Sequence, residues 1–384
     1  MLRSALVSLT FALAALPAQA QTIDTAASSA LVVDYQTGAV LLSKNADVPL
    51  PPASMSKLMT LNMLFEALAS GRLGLDDTFR VSTRAWQMGG SSMFLREGEQ
   101  VKIIDLIRGI IIHSGNDACV VVAEGLAGSE EAFARRMTER ARELGMEDSV
   151  FTNSTGWPHP GQRMSAEDLV FLGDRMVREF PQFYPYFVET EFTWDGITQQ
   201  TRNPLLYMNV GGDGLNTGPT EEAGNGLVGS AAQGVRRCVF LISGLETSRD
   251  RSVESERITS WAFREFETRV LFDEGTRIAE ADVWIGERPT VGLVADGPVP
   301  ATLPRADRDE TVARIVYDGP VQAPIAAGQH LADLIIEAAH VEPITVPLYA
   351  EEAVAEGGFV TRFTAASGLL IEDLLEMAAD AATE

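Results

Sequence analysis

Near Val270 the residue pattern of this 384-residue chain changes, and the change divides the expected fold into two parts. Before it, short apolar runs alternate with apolar or amphipathic stretches of helical period. From Val270 to about Phe363 the chain is β-rich, with one apolar stretch of weak helical pattern at 331–339 and closely spaced turn signals such as Asp296-Gly297-Pro298 and Asp318-Gly319-Pro320. We therefore predict two domains, the second a small β-sandwich spanning residues 271–363.

The first domain, at 21–270, is predicted to mix strands and helices. A β-hairpin is expected from Ala30 to Leu42, closed by Gln36-Thr37-Gly38. Helical period predicts helices at about 54–71, 103–112, 117–124, 130–144, 166–179 and 254–266, and short apolar runs predict strands at 187–196, 226–230 and 238–243.

The first twenty residues have the pattern of a secretory signal. Arg3 precedes a largely apolar run from Ala5 to Leu16, and Pro17-Ala18-Gln19-Ala20 supplies the small residues that a signal peptidase requires. The run is too short for an uncleaved membrane anchor. We predict cleavage after Ala20, and no other stretch reaches the roughly eighteen apolar residues expected of a spanning helix.

Charge and composition argue against several classes of function. Loss of the signal removes Arg3 and no acid, so the formal net charge of −24 becomes −25, and nucleic acid is not expected as a partner. Four scattered histidines show no metal-ligand spacing, and we expect neither a metal nor a cofactor. The two cysteines, Cys119 and Cys238, each lie in an apolar run, which favours buried free thiols and leaves one disulfide as the alternative.

Ser54 and Lys57 are the first candidate catalytic residues. They stand one turn apart in Pro51-Pro52-Ala53-Ser54-Met55-Ser56-Lys57-Leu58, at the start of a largely buried predicted helix. A serine hydroxyl is a poor nucleophile at its ordinary pKa, whereas a neighbouring amine kept neutral by burial could accept its proton. Taken alone this pair is a weak signal, and a surface lysine on a helix is the simpler interpretation.

Two further segments strengthen the interpretation. Ser114-Gly115-Asn116 falls between two predicted helices, where a serine could relay a proton from Lys57 to a leaving group. Asn116 could both hold Lys57 and bind a substrate carbonyl. The third segment, 213–220, reads Asp-Gly-Leu-Asn-Thr-Gly-Pro-Thr and precedes a predicted strand.

With these three segments in order, the chain resembles the serine D-alanyl-D-alanine carboxypeptidases, the low-molecular-weight penicillin-binding proteins. These share Ser-x-x-Lys, Ser-x-Asn and Lys-Thr-Gly motifs with the β-lactamases. The resemblance covers nearly all of 21–384, including the β-rich domain and the tail, which β-lactamases lack. Other matching stretches are Gly90 to Leu95, His113 to Ala118, Thr152-Asn153 with Gly156-Trp157-Pro158, Ser165 to Leu169, and Thr220 to Gly224.

The resemblance implies a transpeptidase-like α/β (α+β) domain with an antiparallel sheet flanked by helices. It implies a periplasmic enzyme that removes the terminal D-alanine from peptidoglycan stem pentapeptides and is acylated by β-lactams. Ser54 would attack the D-Ala-D-Ala carbonyl, Lys57 would take its proton, and Ser114 would protonate the departing D-alanine. Substrate would be bound by Asn116, Asn216, Thr217, Gly218 and Arg202.

Two departures from the family pattern leave a second function open. Asn216 stands where the family has the lysine of Lys-Thr-Gly, which provides positive charge for the substrate carboxylate. Pro219 stands where a backbone N–H joins that of Ser54 in the family's oxyanion hole, and proline has no N–H. The alternative is therefore a catalytically impaired homologue that binds peptidoglycan, whereas a β-lactamase is disfavoured because no deacylating glutamate motif follows Ser114.

The remaining expectations concern the tail and the aromatic residues. Residues 364–384 are predicted to contain an amphipathic helix, with Leu370, Ile371, Leu374 and Leu375 on one side and acids largely on the other. Because its polar face carries no Lys or Arg, packing against protein is weighed equally with peripheral contact to the inner membrane. Structural roles are expected for His113 and His159, and Trp157 and Phe94 are interpreted as core residues.

Overall fold

A computed structural model describes residues 23–220, 224–306, 311–338 and 341–358. The predicted signal segment and the predicted C-terminal helix lie outside these ranges. The helices are α1 Lys57–Ala69, α2 Thr83–Trp86, α3 Ile103–Ile111, α4 Asn116–Ala127, α5 Glu130–Glu143, α6 Ala166–Arg178 and α7 Ser248–Glu265, with 3₁₀ helices at Ala53–Ser56, Tyr184–Val188 and Pro204–Tyr207.

The strands follow in chain order. They are β1 Ser29–Asp34, β2 Val40–Lys44, β3 Thr78–Arg80, β4 Gln100–Lys102, β5 Glu191–Trp194, β6 Ile197–Gln200, β7 Gly212–Thr220, β8 Gly224–Gln233, β9 Arg236–Leu245, β10 Phe266–Phe272, β11 Ala279–Trp284, β12 Thr290–Ala295, β13 Val299–Pro304, β14 Val312–Val316, β15 Val321–Gln322, β16 His330–Ala338 and β17 Val341–Ala350.

A five-stranded antiparallel sheet forms the centre of the first domain, in the order β2-β1-β9-β8-β7. Because side chains alternate along a strand, each strand serves two cores. Leu31 of β1 and Leu241 of β9 pack into the cluster formed with α1, α3, α4, α5 and α6, whereas Val32 and Phe240 pack against α7 on the other face. Helices therefore cover both faces of the sheet, as the resemblance implied.

The helix of Ser54 lies deep in the larger core. A 3₁₀ turn at Ala53–Ser56 leads directly into α1, whose leucines and methionines are almost all buried. The first N–H groups of a helix have no intrahelical partner. Ser54 lies in this first turn, next to such backbone N–H groups. The predicted helix over 54–71 is confirmed.

The second domain consists of two sheets, which are antiparallel except for the parallel pair β11 and β15. A six-stranded sheet has the order β14-β16-β17-β12-β11-β15, and β10 pairs with β13 in a separate two-stranded sheet. Val299 and Leu303 of β13 pack with Leu293 and Leu334 of the larger sheet in one cluster, so the predicted sandwich is confirmed. The described part of the stretch with weak helical pattern, 331–338, lies in β16, where burial alternates with period two at Ala332, Leu334 and Ile336.

A buried ion pair of the first domain is bonded to β10, which pairs with β13 of the second domain and begins at Phe266, a few residues before the predicted boundary at 270. Asp34, at the end of β1, is fully buried and accepts from the Nη2 of Arg236 at 3.0 Å. The Nη1 of Arg236 donates to the main-chain oxygen of Phe266 at 2.7 Å, and Thr268 of β10 donates to Asp34 at 3.4 Å. Strand β10 is thus hydrogen-bonded to β1 and β9 of the central sheet of the first domain.

Both cysteines are buried free thiols, in agreement with the favoured prediction. Cys119 lies in the larger core and Cys238 in the core beside α7. Burial raises the pKa of each thiol to about 12. Among the described residues, no helix has both the length and the apolar character that crossing a membrane requires.

Candidate active site

Ser54 and Lys57 are in direct contact. The Nζ of Lys57 lies 2.8 Å from the Oγ of Ser54 and donates to the main-chain oxygen of Thr155 at 2.6 Å. A neutral amine has two N–H bonds and one lone pair, so an amine that donates to Thr155 can still present its lone pair to Ser54. The two groups are placed for proton transfer from the hydroxyl to the amine.

The electrostatic setting of Lys57 suits a base. Its side chain is fully buried. Burial lowers the pKa of the amine from its ordinary value to about 8, with a smaller lowering from Arg202 and opposing contributions from Cys119 and Asp117. Desolvation is the largest cause because a buried ammonium loses its hydration. At pH 7 roughly one amine in ten is therefore neutral.

Thr155 was not recognised in the sequence as part of the site. Its loop is shaped by the side-chain oxygen of Asn153, which accepts from the backbone N–H groups of Thr155, Gly156 and Trp157 at 3.2, 2.8 and 3.1 Å. Gly156 adopts φ +81°, and a Cβ there would lie 1.8 Å from the main-chain oxygen of Ala53. Only glycine permits this loop to pack against the turn that carries Ser54.

Asn116 has a different partner from the one predicted. Its Nδ2 donates to the main-chain oxygen of Gly89 at 2.8 Å, and Lys57 is held by Thr155 instead. Asp117, the next residue, accepts from the backbone N–H groups of Met93 and Leu95 at 2.9 and 3.1 Å. The second segment thus holds the 89–95 loop at the rim of the site.

Ser114 lies at the site without a hydrogen bond to Lys57. It adopts φ +54°, its side chain is only 6% exposed, and its Oγ has no partner among the described residues. A buried hydroxyl with free donor and acceptor capacity can take part in proton transfer once substrate arrives, since catalytic contacts often tighten only in the complex.

The third segment runs along β7, the edge strand of the sheet, beside the turn of Ser54. Asn216 donates from Nδ2 to the main-chain oxygen of Ser54 at 2.9 Å and accepts at Oδ1 from the N–H of Thr217 at 2.8 Å. Gly218 packs so tightly that a Cβ would lie 2.8 Å from that of Ala53. The third segment is therefore bonded to the first rather than free in the cleft.

The three segments meet at one open cavity. Its volume, counted over the positions that the centre of a water molecule can take, is about 170 Å³. Ser54 comes from the first segment, Asn116 from the second and Pro219 from the third, and Arg202 and Trp157 complete the wall. The predicted convergence on a single cleft is what the structure contains.

Pro219 occupies the wall beside Ser54, so the departure seen in the sequence falls at the reacting centre. The N–H of Ser54, in the first turn of its helix, has no intrahelical acceptor and is available to a developing oxyanion. A proline nitrogen carries no hydrogen, so no second N–H comes from residue 219.

Arg202 is the cationic group of the cavity wall. Its Nη1 donates to the Oγ of Ser91 at 2.8 Å, and its side chain is otherwise exposed to the cavity. A guanidinium with several donors suits a carboxylate. Arg202 therefore lies in the wall of the cavity, and its role in binding substrate stays a prediction.

The predictions for the histidine and for the two large aromatic residues have different outcomes. His113 is buried, and its Nε2 lies 2.9 Å from the main-chain oxygen of Phe192, which confirms a structural role. The interpretation of Trp157 and Phe94 as core residues is wrong, because they are 47% and 53% exposed. Trp157 forms part of the cavity wall, where its ring packs next to Gly90, and the missing signal was the glycine pair that makes room for it.

Comparison with protein families gives two matches. Residues 16–246 match the family described as D-alanyl-D-alanine carboxypeptidase. Residues 266–356 match the family described as the C-terminal domain of penicillin-binding protein 5. The first range contains β1 to β9, the second contains β10 to β17, and α7 lies between them.

Individual proteins agree with these matches. D-alanyl-D-alanine carboxypeptidase DacC of Escherichia coli is 37% identical over 340 residues, covering 86% of this chain and 85% of its own. Penicillin-binding protein 5 of Haemophilus influenzae has a crystal structure with a TM-score of 0.79 at 32% identity, covering 88% of this chain and 99% of that one. Penicillin-binding protein D2 of Listeria monocytogenes, in an ampicillin-bound form, has a TM-score of 0.58 at 27% identity, covering 63% and 99%.

Proposed function

The chain belongs to the D-alanyl-D-alanine carboxypeptidase family, and we propose that Ser54 is the residue that its substrate acylates. As a serine-type carboxypeptidase of this family it acts on peptides ending in D-Ala-D-Ala, and it binds β-lactams. The observation that carries the assignment of Ser54 is its 2.8 Å contact with the buried amine of Lys57. The proposed physiological substrate is the stem pentapeptide of peptidoglycan.

Lys57 starts the reaction as a general base. The neutral amine takes the hydroxyl proton of Ser54 while the oxygen attacks the carbonyl of the penultimate D-alanine. A base with a pKa of about 8 is poised near the working pH, which favours both its neutral form and its ability to accept a proton. The carbonyl oxygen becomes negative during attack and is stabilised by the N–H of Ser54.

Ser114 completes the first half of the reaction. Its hydroxyl gives a proton to the nitrogen of the departing D-alanine and regains one from the ammonium of Lys57, so that the C–N bond breaks with the proton count balanced. Its buried, unpaired Oγ supports this role. Water then hydrolyses the ester on Ser54 and releases the shortened peptide.

Substrate binding uses the edge of the sheet and Arg202. An edge strand such as β7 has a row of main-chain groups that an extended peptide can join. Arg202 binds the terminal carboxylate by charge-assisted hydrogen bonds, which the neutral amide of Asn216 cannot supply. We expect Thr217 and Gly218 to contact the substrate through their backbone.

Covalent labelling tests the role of Ser54. Fluorescent penicillin should label the wild-type protein stoichiometrically, and Ser54→Ala and Lys57→Met should abolish the labelling. Ser70→Ala is the matched control, since Ser70 lies exposed at the end of the same helix and bonds only locally. Labelling that survives in Ser54→Ala would contradict the assignment. Release of D-alanine from a pentapeptide mimic, measured in parallel, tests turnover.

Pro219 favours a second candidate, a homologue that binds peptidoglycan but turns it over poorly. A missing oxyanion donor typically slows catalysis by about 100- to 1000-fold. In this case the protein should bind a pentapeptide mimic reversibly in calorimetry and show no labelling even at millimolar penicillin. Stoichiometric labelling with D-alanine release excludes this candidate.

We further propose that the mature protein works in the periplasm. The apolar run after Arg3 and the small residues before Gln21 support export and cleavage. Expression in a Gram-negative host followed by fractionation should recover the protein from the periplasm with Gln21 as its first residue. Recovery from the cytoplasm with Met1 intact would contradict the proposal.

The tail at 364–384 allows a peripheral contact with the inner membrane. Its apolar leucines support such a contact, whereas its acidic face disfavours anionic lipid. Flotation with vesicles of zwitterionic lipid tests this, comparing the mature chain with one that ends at residue 363. Equal recovery of both chains in the bottom fraction would leave packing against protein as the role of the tail.

A further inference from the structure

A small polar cavity adjoins the active site between α3, β7 and the segment of Arg202. Ser114, Asn203, Asn216 and Thr217 contribute to its wall. Its volume, counted over the positions that the centre of a water molecule can take, is about 10 Å³. This is close to the least space that holds one water molecule.

Two polar groups on the wall are buried and unpaired. Ser114 is 6% exposed and Asn203 is 2% exposed. Neither the Oγ of Ser114 nor the Nδ2 of Asn203 has a hydrogen-bond partner among the described residues. Buried polar groups in proteins are nearly always paired with protein or with ordered water, so two orphans on one small cavity indicate a guest between them.

The orientation of Asn203 restricts what the guest can be. Its Oδ1 accepts from the N–H of Leu205 at 3.1 Å, which leaves the Nδ2, a donor, on the cavity side. The guest must therefore accept a hydrogen bond, and this excludes a metal cation or an ammonium ion. Asn216 is not the acceptor for the Nδ2 of Asn203, because its side-chain amide is hydrogen-bonded to Ser54 and Thr217.

We propose that one ordered water molecule binds in this cavity, where it accepts from the Nδ2 of Asn203 and donates to the Oγ of Ser114. Buried waters commonly make about three such bonds. A water in this orientation fills one acceptor site of Ser114. The hydroxyl proton is thereby kept out of the cavity and is available toward the cleft.

The water connects the small cavity to the reaction through Ser114. This connection rests on the proposed function, in which Ser114 protonates the departing D-alanine. A hydroxyl that donates a proton to departing D-alanine must have that proton directed at the substrate. Asn203 is then a positioning residue that acts through the water and through Ser114 without contacting the substrate.

The first experiment locates the guest in the wild-type protein. A crystal structure at atomic resolution should contain one density peak within hydrogen-bond distance of both the Nδ2 of Asn203 and the Oγ of Ser114. Crystals soaked in sodium bromide should give no anomalous peak there. An empty cavity overturns the proposal, and so does a bromide peak, which would identify an anion site.

The second experiment reverses the polarity of the wall. Asn203→Asp keeps the acceptor for Leu205 and replaces the donor with an acceptor, so that the water must donate to residue 203. The lone pair of the water that Asn203 occupied is then free to accept from Ser114, so the hydroxyl proton is no longer kept out of the cavity and can turn away from the substrate. We expect kcat for D-alanine release to fall about 10- to 100-fold with KM unchanged. Measurement on the alkaline plateau of the pH profile removes any effect through the pKa of Lys57.

Asn45→Asp is the matched control, because Asn45 also donates from its side chain, to the main-chain oxygen of Ser28 at 2.7 Å, on the exposed surface. Its kcat should equal that of the wild type. Unchanged kcat in a folded Asn203→Asp protein overturns the positioning role, and a change in KM alone does the same. Should that variant fail to fold, the wild-type crystal still decides whether the water is bound.

These outcomes are separable from a failure of the proposed function. Loss of the whole assignment would appear as penicillin labelling that does not depend on Ser54. A failure of the water proposal alone would appear as Ser54-dependent labelling together with an empty cavity or a wild-type kcat in Asn203→Asp.

Discussion

The side-chain amide of Asn216 donates a hydrogen bond of 2.9 Å to the main-chain oxygen of Ser54. This bond joins the edge strand β7 to the 3₁₀ turn that carries the nucleophile. A short amide at this position therefore supports the shape of the site, a role that a long cationic side chain reaching into the cleft would not have.

Replacing Asn216 by leucine should weaken both the fold and the site. The substitution removes one of two donors to the oxygen of Ser54, which keeps the backbone N–H of Lys57 as a partner, and the loss of one such hydrogen bond costs about 0.5 to 1.5 kcal/mol. Urea denaturation measures the loss, and the penicillin acylation rate should fall with it. Asn225→Leu, which removes side-chain donors to Leu245 and Glu246 in the neighbouring strand, controls for loss of an amide as such. A stability equal to wild type would show that the bond contributes nothing.

The double variant Asn216→Lys with Pro219→His should acylate faster than the wild type. It loses the Asn216 bond to Ser54 but adds a positive charge for the substrate carboxylate and an N–H beside Ser54, and recovery of one oxyanion donor, worth up to about 100- to 1000-fold, outweighs the lost bond. Stopped-flow acylation by penicillin measures the gain. Pro347→His, in the second domain, is the control. An unchanged rate of D-alanine release from a pentapeptide mimic would refute this account of the third segment.

Acylation should increase with pH and reach half its maximum near the Lys57 pKa of about 8. The sign follows from the role of the amine, which accepts a proton only when neutral and is neutral above its pKa. Arg202→Gln removes a neighbouring positive charge that lowers this pKa, so the profile should shift to higher pH. Arg305→Gln, on the surface of the second domain, should leave it unshifted. A pH-independent rate across this range would rule out Lys57 as the base.

Gly156→Ala should destabilise the protein far more than Gly128→Ala. Both glycines have φ near +80°, so each substitution incurs the left-handed backbone penalty of about 1 to 2 kcal/mol. At Gly128 the new Cβ meets nothing within 4 Å, whereas at Gly156 it would lie 1.8 Å from the oxygen of Ala53. Thermal unfolding and penicillin labelling should both separate the two variants. Equal melting temperatures would mean that the loop moves aside freely.

Arg236→Gln should strongly destabilise the junction of the two domains. It leaves the fully buried carboxylate of Asp34 without its charged partner, and breaking a buried pair in this way costs about 3 to 5 kcal/mol. Arg314→Gln breaks an exposed pair with Glu337 and should change stability little. Guanidinium denaturation of each variant measures the difference. Similar unfolding midpoints would show that solvent reaches Asp34.

Sequence patterns were sufficient to predict the features that depend on the type and spacing of side chains. Ser54 with Lys57, the buried helix that follows and the convergence of three distant segments could all be predicted, because residue type and spacing encode them. The strand at β16 was the weakest point, since a short apolar run fits either period and only pairing with β17 decides.

The parts that could not be predicted depend on main-chain atoms and on packing. Lys57 is held by the carbonyl of Thr155, and a main-chain acceptor leaves no mark on residue type. The pairing of Asn216 with Ser54 and the small cavity beside Asn203 arise from contacts between segments far apart in the chain. Such relationships require coordinates.

The proline in the cavity wall has a consequence for antibiotic resistance. In the proposed reaction Ser54 attacks a β-lactam and a D-Ala-D-Ala peptide alike, so the missing N–H at Pro219 slows acylation by both. In that reaction, a cell could not escape the drug through this position without also slowing its own carboxypeptidase.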